Sequence, residues 1–239
     1  MNTKPAALIF DFDGVVANTE PLYWKAWRAI LARHGIDFAW VDYCRVGRGV
    51  EDERMLQAIP QLAANPVLME KVRQERPLRE AMVEGFCREE FPIGEATIEL
   101  LHSLREYPLA LVTSSLRTAV APMLEAARIA DCFTAVVFGG DTILRKPNPA
   151  PYLLIRERLA VPSGVVFEDS DAGAQSATQA GYEVLRVPAP QALPEIVRGR
   201  LHLGTSISEP FQPKPAPGQP ASVCRSRGTS PTLPGANRP

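Results

Sequence analysis

Five short apolar runs, spread along most of the chain, constrain its possible folds more than any other feature. Each run is continuously apolar rather than alternating, which is typical of strands covered on both faces of a parallel sheet. The runs are Ala6–Phe10, Leu109–Val112, Ala135–Phe138, Val165–Phe167 and Val184–Val187. Helical patterns separate them, as in Glu95–Tyr107 and Leu116–Arg128. Because β and α units alternate, we predict an α/β fold with a doubly wound, Rossmann-like parallel sheet.

One long interval between the first two runs breaks this alternation. From about Ala17 to Phe91 the residues carry helical patterns and no convincing strand. Thr19 is a candidate N-cap of the first of these helices, and Pro21 suits its first turn. We therefore predict an inserted helical domain. Ligands of open α/β sheets bind beyond the carboxyl ends of the strands, so an insertion that starts there is placed to cover a ligand site.

The bulk composition excludes several classes of protein. The 239 residues carry a net charge of −1, which gives no electrostatic reason to expect nucleic acid or an anionic membrane as a partner. The four cysteines are far apart and without CxxC spacing, which indicates free thiols in a reducing compartment, and we expect a cytoplasmic protein. Residues 204–239 are rich in proline and are predicted to be a disordered tail. We expect a monomer, with a dimer as the alternative.

Polar residues with complementary chemistry follow four of the five apolar runs. They are Asp11 and Asp13, then Thr113 and Ser114, then Lys146, and finally Glu168 and Asp169. In a parallel sheet all of these groups gather at one edge. Several carboxylates in one crevice raise one another's pKa unless a cation neutralises them, and Mg²⁺ prefers oxygen ligands. The lysine, the hydroxyls and nearby backbone N–H groups suit a phosphoryl group. This combination predicts phosphoryl transfer on a small phosphorylated metabolite.

Two aspartates one residue apart can divide the chemistry between them. A carboxylate can attack phosphorus and form an aspartyl-phosphate. The first aspartate, Asp11, would stay ionised and attack. The second, Asp13, could protonate the leaving oxygen and later deprotonate the hydrolytic water.

Four segments in this order, "DFDGVVANT", "VTSS", "RKPNP" and "FEDSDAG", resemble the four motifs of the haloacid dehalogenase-like hydrolase superfamily. The chain is most similar to the branch that contains phosphoglycolate phosphatases and β-phosphoglucomutases. The resemblance covers roughly residues 6–190. It implies a core domain formed by residues 1–16 and 92–203 and a helical cap domain formed by residues 17–91.

The resemblance also implies a role for each matching residue. Asp11 would be the nucleophile and Asp13 the general acid/base, with its backbone carbonyl on Mg²⁺. Thr113 and the Ser114 amide would bind phosphate, and Lys146 would neutralise it and orient Asp11. The residues implied as metal ligands are Asp11, Asp13, Glu168 and Asp169.

Two further residues are assigned less directly. Arg48 lies in a loop, between Gly47 and Gly49, that resembles the family's substrate-specificity loop, and it could reach a second anionic group of the substrate. Asp171 is expected to cap the helix that follows the fourth motif.

Four functions remain open at this point. The leading one is a Mg²⁺-dependent phosphatase acting on a sugar phosphate or on phosphoglycolate. The first alternative is a phosphomutase of the β-phosphoglucomutase type, but Tyr23 stands where those sequences carry a histidine. A dehalogenase is less favoured because the acid Asp13 is present. A catalytically silent protein that binds a phosphometabolite is the last alternative.

Overall fold

The computed structural model describes residues 4–202, so the predicted tail at residues 204–239 lies outside the described residues. Five parallel strands form one sheet in the order β3-β2-β1-β4-β5. The strands β1 to β5 span Leu8–Phe10, Leu109–Leu116, Ala135–Gly139, Val165–Glu168 and Glu183–Arg186. The central strand β1 pairs with β2 and β4, and Leu8 lies opposite both Leu109 and Val165. The predicted α/β fold with a parallel sheet is confirmed.

Seven helices lie between β1 and β2, and the first six of them fall where the sequence predicts a helical insertion. The helices α1 to α6 span Glu20–Ala32, Trp40–Val46, Asp52–Gln57, Pro60–Ala63, Pro66–Gln74 and Arg76–Glu89. We refer to residues 20–89 as the helical segment. Within it, a hydrophobic cluster that includes Trp27, Ile30, Met55 and Leu62 is almost completely buried.

The remaining helices cover the two faces of the sheet. The helices α7 to α11 span Glu95–Ser103, Arg117–Ala126, Ala150–Leu159, Asp171–Gln179 and Leu193–Leu201. Two 3₁₀ turns, Ala130–Cys132 and Pro190–Ala192, complete the described elements.

The sheet is buried on both faces because successive side chains of a strand point to opposite sides. Leu8 and Phe10 of β1 belong to a cluster that also contains residues of α7, α8 and α11. Ile9, between them, belongs to a second cluster with residues of α9 and α10. Phe10 stacks on Phe167 of the neighbouring strand, with 5.0 Å between ring centroids. This double coverage explains the continuously apolar strand sequences.

Several predicted boundaries need correction. The strand β2 extends to Leu116, four residues past its apolar run, because an irregularity after Val112 lets Leu116 pair with Gly139. The helix α7 ends at Ser103 rather than at Tyr107.

Thr19 occupies the N-cap position of α1 as predicted, but its side chain makes no capping hydrogen bond. Within residues 4–202, no helix is long and apolar enough to cross a lipid bilayer.

Candidate active site

An ion-paired lysine lies between the carboxyl ends of β1 and β4. Asp11 directly follows β1, and its backbone N–H donates to the Phe167 carbonyl across the sheet. Lys146 comes from the loop between β3 and α9, and its Nζ lies 2.6 Å from Asp11 Oδ1 and 2.7 Å from Glu168 Oε1. A third hydrogen bond, 3.0 Å long, runs from Nζ to the Val112 carbonyl. All three ammonium donors are therefore used, and the lysine holds three strands together at this edge.

The lysine at this position is a fixed positive charge. Only 6% of its side chain is exposed, and burial alone disfavours the ammonium form. The neighbouring groups Asp11, Tyr152 and Glu168 outweigh this effect and raise the pKa of Lys146 well above its usual value. Because the ammonium stays charged, it can neutralise an anion bound beside Asp11.

Glu168 is the last residue of β4 and is completely buried. One of its oxygens contacts Lys146, and the other accepts hydrogen bonds from the backbone N–H and the hydroxyl of Ser170. Although burial acts in the opposite direction, the charge of Lys146 and these hydrogen bonds lower the pKa of Glu168. Gly173 on α10 makes room for this carboxylate, since a Cβ at that position would overlap it.

Ser170 is also the N-cap of α10, because its hydroxyl accepts a hydrogen bond from the Gly173 N–H. The prediction that Asp171 caps this helix is therefore wrong. Asp171 is the first helical residue, and its fully exposed carboxylate pairs with Arg186 at 3.1 Å. Arg186 also donates to the backbone carbonyls of Asp169 and Ser170, which fixes the loop that carries the acidic residues.

Three of the predicted metal ligands are brought together by this arrangement. Asp11, Glu168 and Asp169 each offer an oxygen, and the three atoms lie within 4.8 Å of one another. Burial and the charges of Glu168 and Glu20 raise the pKa of Asp169 to about 7. Burial and the neighbouring carboxylates likewise raise the pKa of Asp11, although Lys146 opposes the shift. An all-oxygen, buried and crowded acidic cluster of this kind fits a hard divalent cation such as Mg²⁺.

Gly14 allows the Asp169 carboxylate to lie close to the backbone that follows β1. Its φ of +81° is in the left-handed region, and a Cβ at this position would overlap the Asp169 carboxylate. A side chain here would displace a member of the acidic cluster, which gives a physical reason for glycine directly after Asp13.

Asp13 is surrounded by hydroxyl groups rather than by cations. Its Oδ1 accepts from Thr19 Oγ1 at 2.7 Å and from Tyr23 Oη at 2.8 Å. Its Oδ2 accepts from Ser115 Oγ at 2.7 Å and from Thr113 Oγ1 at 3.3 Å. The Thr19 hydroxyl, predicted to cap α1, is used here instead.

Sequence reasoning missed the contacts that Thr19, Tyr23 and Ser115 make with Asp13. A signal was present for Tyr23 and for Ser115. Tyr23 lies four residues after Thr19 and therefore on the same face of α1. Ser115 belongs to the run "VTSS", of which only the first serine was assigned a role.

The predicted phosphate-binding residues lie at the carboxyl end of β2. Thr113 is buried, and its Oγ1 accepts from the Ser115 N–H at 2.9 Å. Ser114 is exposed, and together with Thr113, Gly139, Gly140 and Lys146 it lines a small groove. Gly139 allows the two strands to approach, since a Cβ there would overlap the Ser114 carbonyl.

Arg48 hydrogen-bonds a backbone carbonyl rather than another predicted site residue. It is exposed, and its Nη2 donates to the Pro188 carbonyl at 3.3 Å. Its charge nevertheless acts to lower the pKa of Asp169 and of Glu20. Glu20 is a buried carboxylate that accepts from Tyr43 Oη at 2.6 Å and from the Gly49 N–H at 3.1 Å. Its pKa is raised, chiefly by burial and also by Asp13.

Comparisons with known proteins find similar phosphatases. A phosphorylated carbohydrates phosphatase of Thermotoga maritima is 33% identical over 190 residues, which cover 74% of this chain and 82% of that protein. The fructose-1-phosphate phosphatase YqaB of Escherichia coli is 30% identical over 191 residues, covering 78% of this chain and 98% of that protein.

Among solved structures, β-phosphoglucomutase of Clostridium difficile superposes with a TM-score of 0.67. It is 20% identical, and the match covers 84% of this chain and 98% of that one. At this level of identity the likeness concerns the fold alone.

The sequence model of one family, described as haloacid dehalogenase-like hydrolase, matches residues 8–187. The match includes all four of the segments quoted above and the whole helical segment, and it confirms the predicted resemblance. The chain therefore belongs to the haloacid dehalogenase-like hydrolases.

Proposed function

We propose that this protein is a Mg²⁺-dependent phosphatase that hydrolyses a small phosphomonoester through a phospho-aspartate on Asp11. The observation that carries the proposal is the buried Asp11–Lys146 ion pair beside Thr113, at the edge of the sheet that also holds Asp13 and Asp169. The two relatives named above, both phosphatases of phosphorylated carbohydrates, support the same assignment.

Asp11 would act as the nucleophile. An Asp11 oxygen forms a bond to phosphorus while the ester P–O bond breaks, so the phosphoryl group passes from the substrate to the enzyme. Lys146 would hold Asp11 in position and neutralise the phosphoryl oxygens. The Thr113 hydroxyl and the Ser114 amide would bind those oxygens from the carboxyl end of β2, where backbone groups face the groove.

Asp13 would move the protons. It gives a proton to the leaving ester oxygen in the first step and takes one from the attacking water in the second. The sum is one ester and one water converted to one alcohol and one phosphate, with Asp11 and Asp13 restored. The four hydroxyl groups that donate to Asp13 fix the position of its carboxyl group for both proton transfers.

Asp11, Glu168, Asp169 and the Asp13 backbone carbonyl would hold the Mg²⁺ ion. When bound, the ion would offset the charge that builds up between the carboxylates and the phosphoryl group. Glu168 would also hold Lys146, because the same carboxylate contacts its ammonium. The chemistry of the donor set supports this assignment, since all of its members are oxygens.

The helical segment would serve as the cap of the site, with residues 17–91 as the cap domain and residues 1–16 and 92–203 as the core. Contacts from this segment reach the core at Asp13, at the Pro188 carbonyl and at Arg145, which pairs with Glu51 at 3.4 Å. Arg48 stays a candidate for binding a second anionic group of the substrate. The free thiols of Cys87 and Cys132 support the cytoplasm as the compartment.

Phosphate release from a substrate panel tests the proposal. Wild-type protein is incubated separately with fructose 1-phosphate, phosphoglycolate and p-nitrophenyl phosphate. Each ester is tested once with Mg²⁺ and once with a chelator in its place. We expect Mg²⁺-dependent release from at least one ester and none from the Asp11→Asn variant. Turnover that is absent in the wild type, or equal in the two proteins, would refute the phosphatase.

The same assay separates the alternatives. Conversion of β-glucose 1-phosphate to the 6-phosphate without net phosphate release would identify a mutase. Binding of a phosphate ester without any turnover would identify a silent binding protein.

A further inference from the structure

Tyr23 reaches from the helical segment to the carboxylate that is proposed to move protons. It lies in the first turn of α1, and its Oη donates to Asp13 Oδ1 at 2.8 Å. Thr19, on the same helix face, donates to the same oxygen at 2.7 Å. Ser115 of β2 donates to the opposite oxygen. The carboxylate of Asp13 is thus held from two sides, one side being α1 and the other the sheet.

A second layer of contacts fixes the position of Tyr23. The guanidinium of Arg79, from α6, lies 4.8 Å from the centroid of the Tyr23 ring, and its side chain is only 12% exposed. Arg79 pairs with Asp52 of α3 at 3.6 Å, and Asp52 accepts from Trp27 Nε1 at 2.9 Å. Residues of three helices therefore determine where the Tyr23 hydroxyl lies.

The placement of Tyr23 separates it from the rest of the proposed machinery. Its hydroxyl donates to Asp13 and not to Asp11, Glu168 or Asp169, the three acids of the proposed metal site. The contact of Tyr23 with the proposed catalytic groups is therefore its hydrogen bond to Asp13.

We propose that Tyr23 is a positioning residue that holds the Asp13 carboxyl group in line with the leaving oxygen of the substrate. This inference rests on the proposed phosphatase. As the P–O bond breaks, the proton moves from Asp13 to the leaving oxygen, while the Tyr23 proton stays on the phenol. Correct orientation of Asp13 matters most for an alkoxide leaving group, which needs the proton, and least for a p-nitrophenolate, which departs without it.

Tyr23→Phe removes the hydroxyl and keeps the ring beneath Arg79. We expect kcat/KM for an alkyl ester such as fructose 1-phosphate to fall by about tenfold or more, while that for p-nitrophenyl phosphate changes by about threefold at most. Across a series of aryl and alkyl phosphates, log kcat/KM should then fall more steeply with the pKa of the leaving alcohol than it does in the wild type.

Tyr43→Phe is the matched control. It removes another buried phenol of the helical segment, one that donates to Glu20 and not to Asp13. We expect it to change kcat/KM for both kinds of ester by the same factor. Arg79→Met is the second variant, used if Tyr23→Phe does not fold. It removes the guanidinium that packs on the Tyr23 ring and leaves Asp13 unchanged. We expect the same selective fall in kcat/KM for alkyl esters, but a smaller one.

The outcomes are distinct. Suppose the wild type is active and Tyr23→Phe lowers kcat/KM by the same factor for both esters, or for neither. The proposed role of Tyr23 is then wrong, and the proposed phosphatase activity stands. A wild type that hydrolyses neither ester overturns the proposed function and this inference with it. A selective loss on alkyl esters in Tyr23→Phe, absent in Tyr43→Phe, supports the inference.

Discussion

The carboxyl edge of the sheet and the helical segment use charge in opposite ways. At the edge of the sheet, Lys146 is buried between Asp11 and Glu168, and all three lie within a residue of a strand end or in a short loop. In the helical segment most ion pairs are exposed, such as Arg88 with Glu84 and Arg45 with Asp42. Exposed pairs of this kind contribute about 0–1 kcal/mol each, so the helical segment depends on its own apolar cluster instead.

This difference indicates that the two regions have different roles. The edge of the sheet carries the groups that are proposed to bind and transfer a phosphoryl group. The helical segment and Thr19, the residue that precedes it, add few polar groups to that site, chiefly Tyr23 and Thr19 on Asp13 and the buried carboxylate of Glu20. We therefore expect substitutions at the edge of the sheet to affect every substrate and those in the helical segment to affect the choice among substrates.

The largest effect is expected from Asp11→Asn. Loss of the nucleophile should lower kcat by about 10³-fold or more on every substrate, as measured by phosphate release. The fold should persist, because Lys146 keeps Glu168 as its charged partner, and circular dichroism and thermal unfolding check this. Asp171→Asn is the control, since its carboxylate is fully exposed and pairs with Arg186 at the surface. A variant with Asn at position 11 and ordinary activity would remove Asp11 from the mechanism.

The second-largest effect is expected from Asp169→Asn, which should weaken Mg²⁺ binding. Loss of one oxygen donor of the acidic cluster should raise the Mg²⁺ concentration needed for half-maximal activity by about 10–100-fold. A second readout does not depend on activity: added Mg²⁺ should raise the unfolding temperature of the wild type but not that of the variant. Equal stabilisation of the two proteins would show that Asp169 is not a ligand.

Gly14→Ala should have an intermediate effect on stability and on Mg²⁺ binding, and Gly35→Ala is its control. Gly14 and Gly35 both have positive φ, but only at Gly14 does a Cβ overlap another group, the Asp169 carboxylate. Both substitutions should cost about 1–2 kcal/mol of folding free energy for the left-handed backbone. Only Gly14→Ala should also weaken Mg²⁺ binding and so raise the Mg²⁺ concentration needed, measured by titration of activity and of thermal stability. Identical Mg²⁺ titrations of the two variants would contradict the proposed placement of Asp169.

The smallest effect is expected from Glu20→Gln, and it should appear only as a change of substrate preference. The buried charge of Glu20 lies near Asp13 and Asp169, so it should disfavour a substrate with an additional carboxylate, such as phosphoglycolate. The variant should improve kcat/KM for phosphoglycolate relative to fructose 1-phosphate by about fivefold, equivalent to about 1 kcal/mol of charge repulsion. Glu53→Gln, at an exposed carboxylate of the same segment, should leave the ratio unchanged. An unaltered ratio in Glu20→Gln would show that its charge does not reach the substrate.

The sheet and its acidic edge could be predicted because each depends on local sequence. A buried parallel strand requires a continuous apolar run, and the groups at its end follow it directly, as Asp11 follows Phe10. The end of β2 could not be predicted in this way. Thr113 to Ser115 are polar, and they belong to the strand only because Leu116 pairs with Gly139 of β3 in the sheet.

The contacts of the helical segment were less predictable for a similar reason. Periodicity identifies the face of a helix that is buried, but not the element against which it is buried. The hydroxyls of Thr19 and Tyr23 could have capped α1 or faced water, and only the packing of α1 on the loop after β1 brings them to Asp13. Ser170 rather than Asp171 caps α10 because strand β4 continues to Glu168 and sets where the helix begins.

The covalent phospho-aspartate is the central claim, and rapid-quench mass spectrometry tests it most directly. Wild-type protein is mixed with excess fructose 1-phosphate and Mg²⁺, stopped with acid within the first turnovers and digested, and the fragments are sequenced in the spectrometer. We predict one phosphoryl group on Asp11, absent from the Asp11→Asn variant and lost when the quench follows exhaustion of the substrate. Phosphate release in the same mixture without a phosphorylated Asp11, or with the group on another residue, would contradict the mechanism.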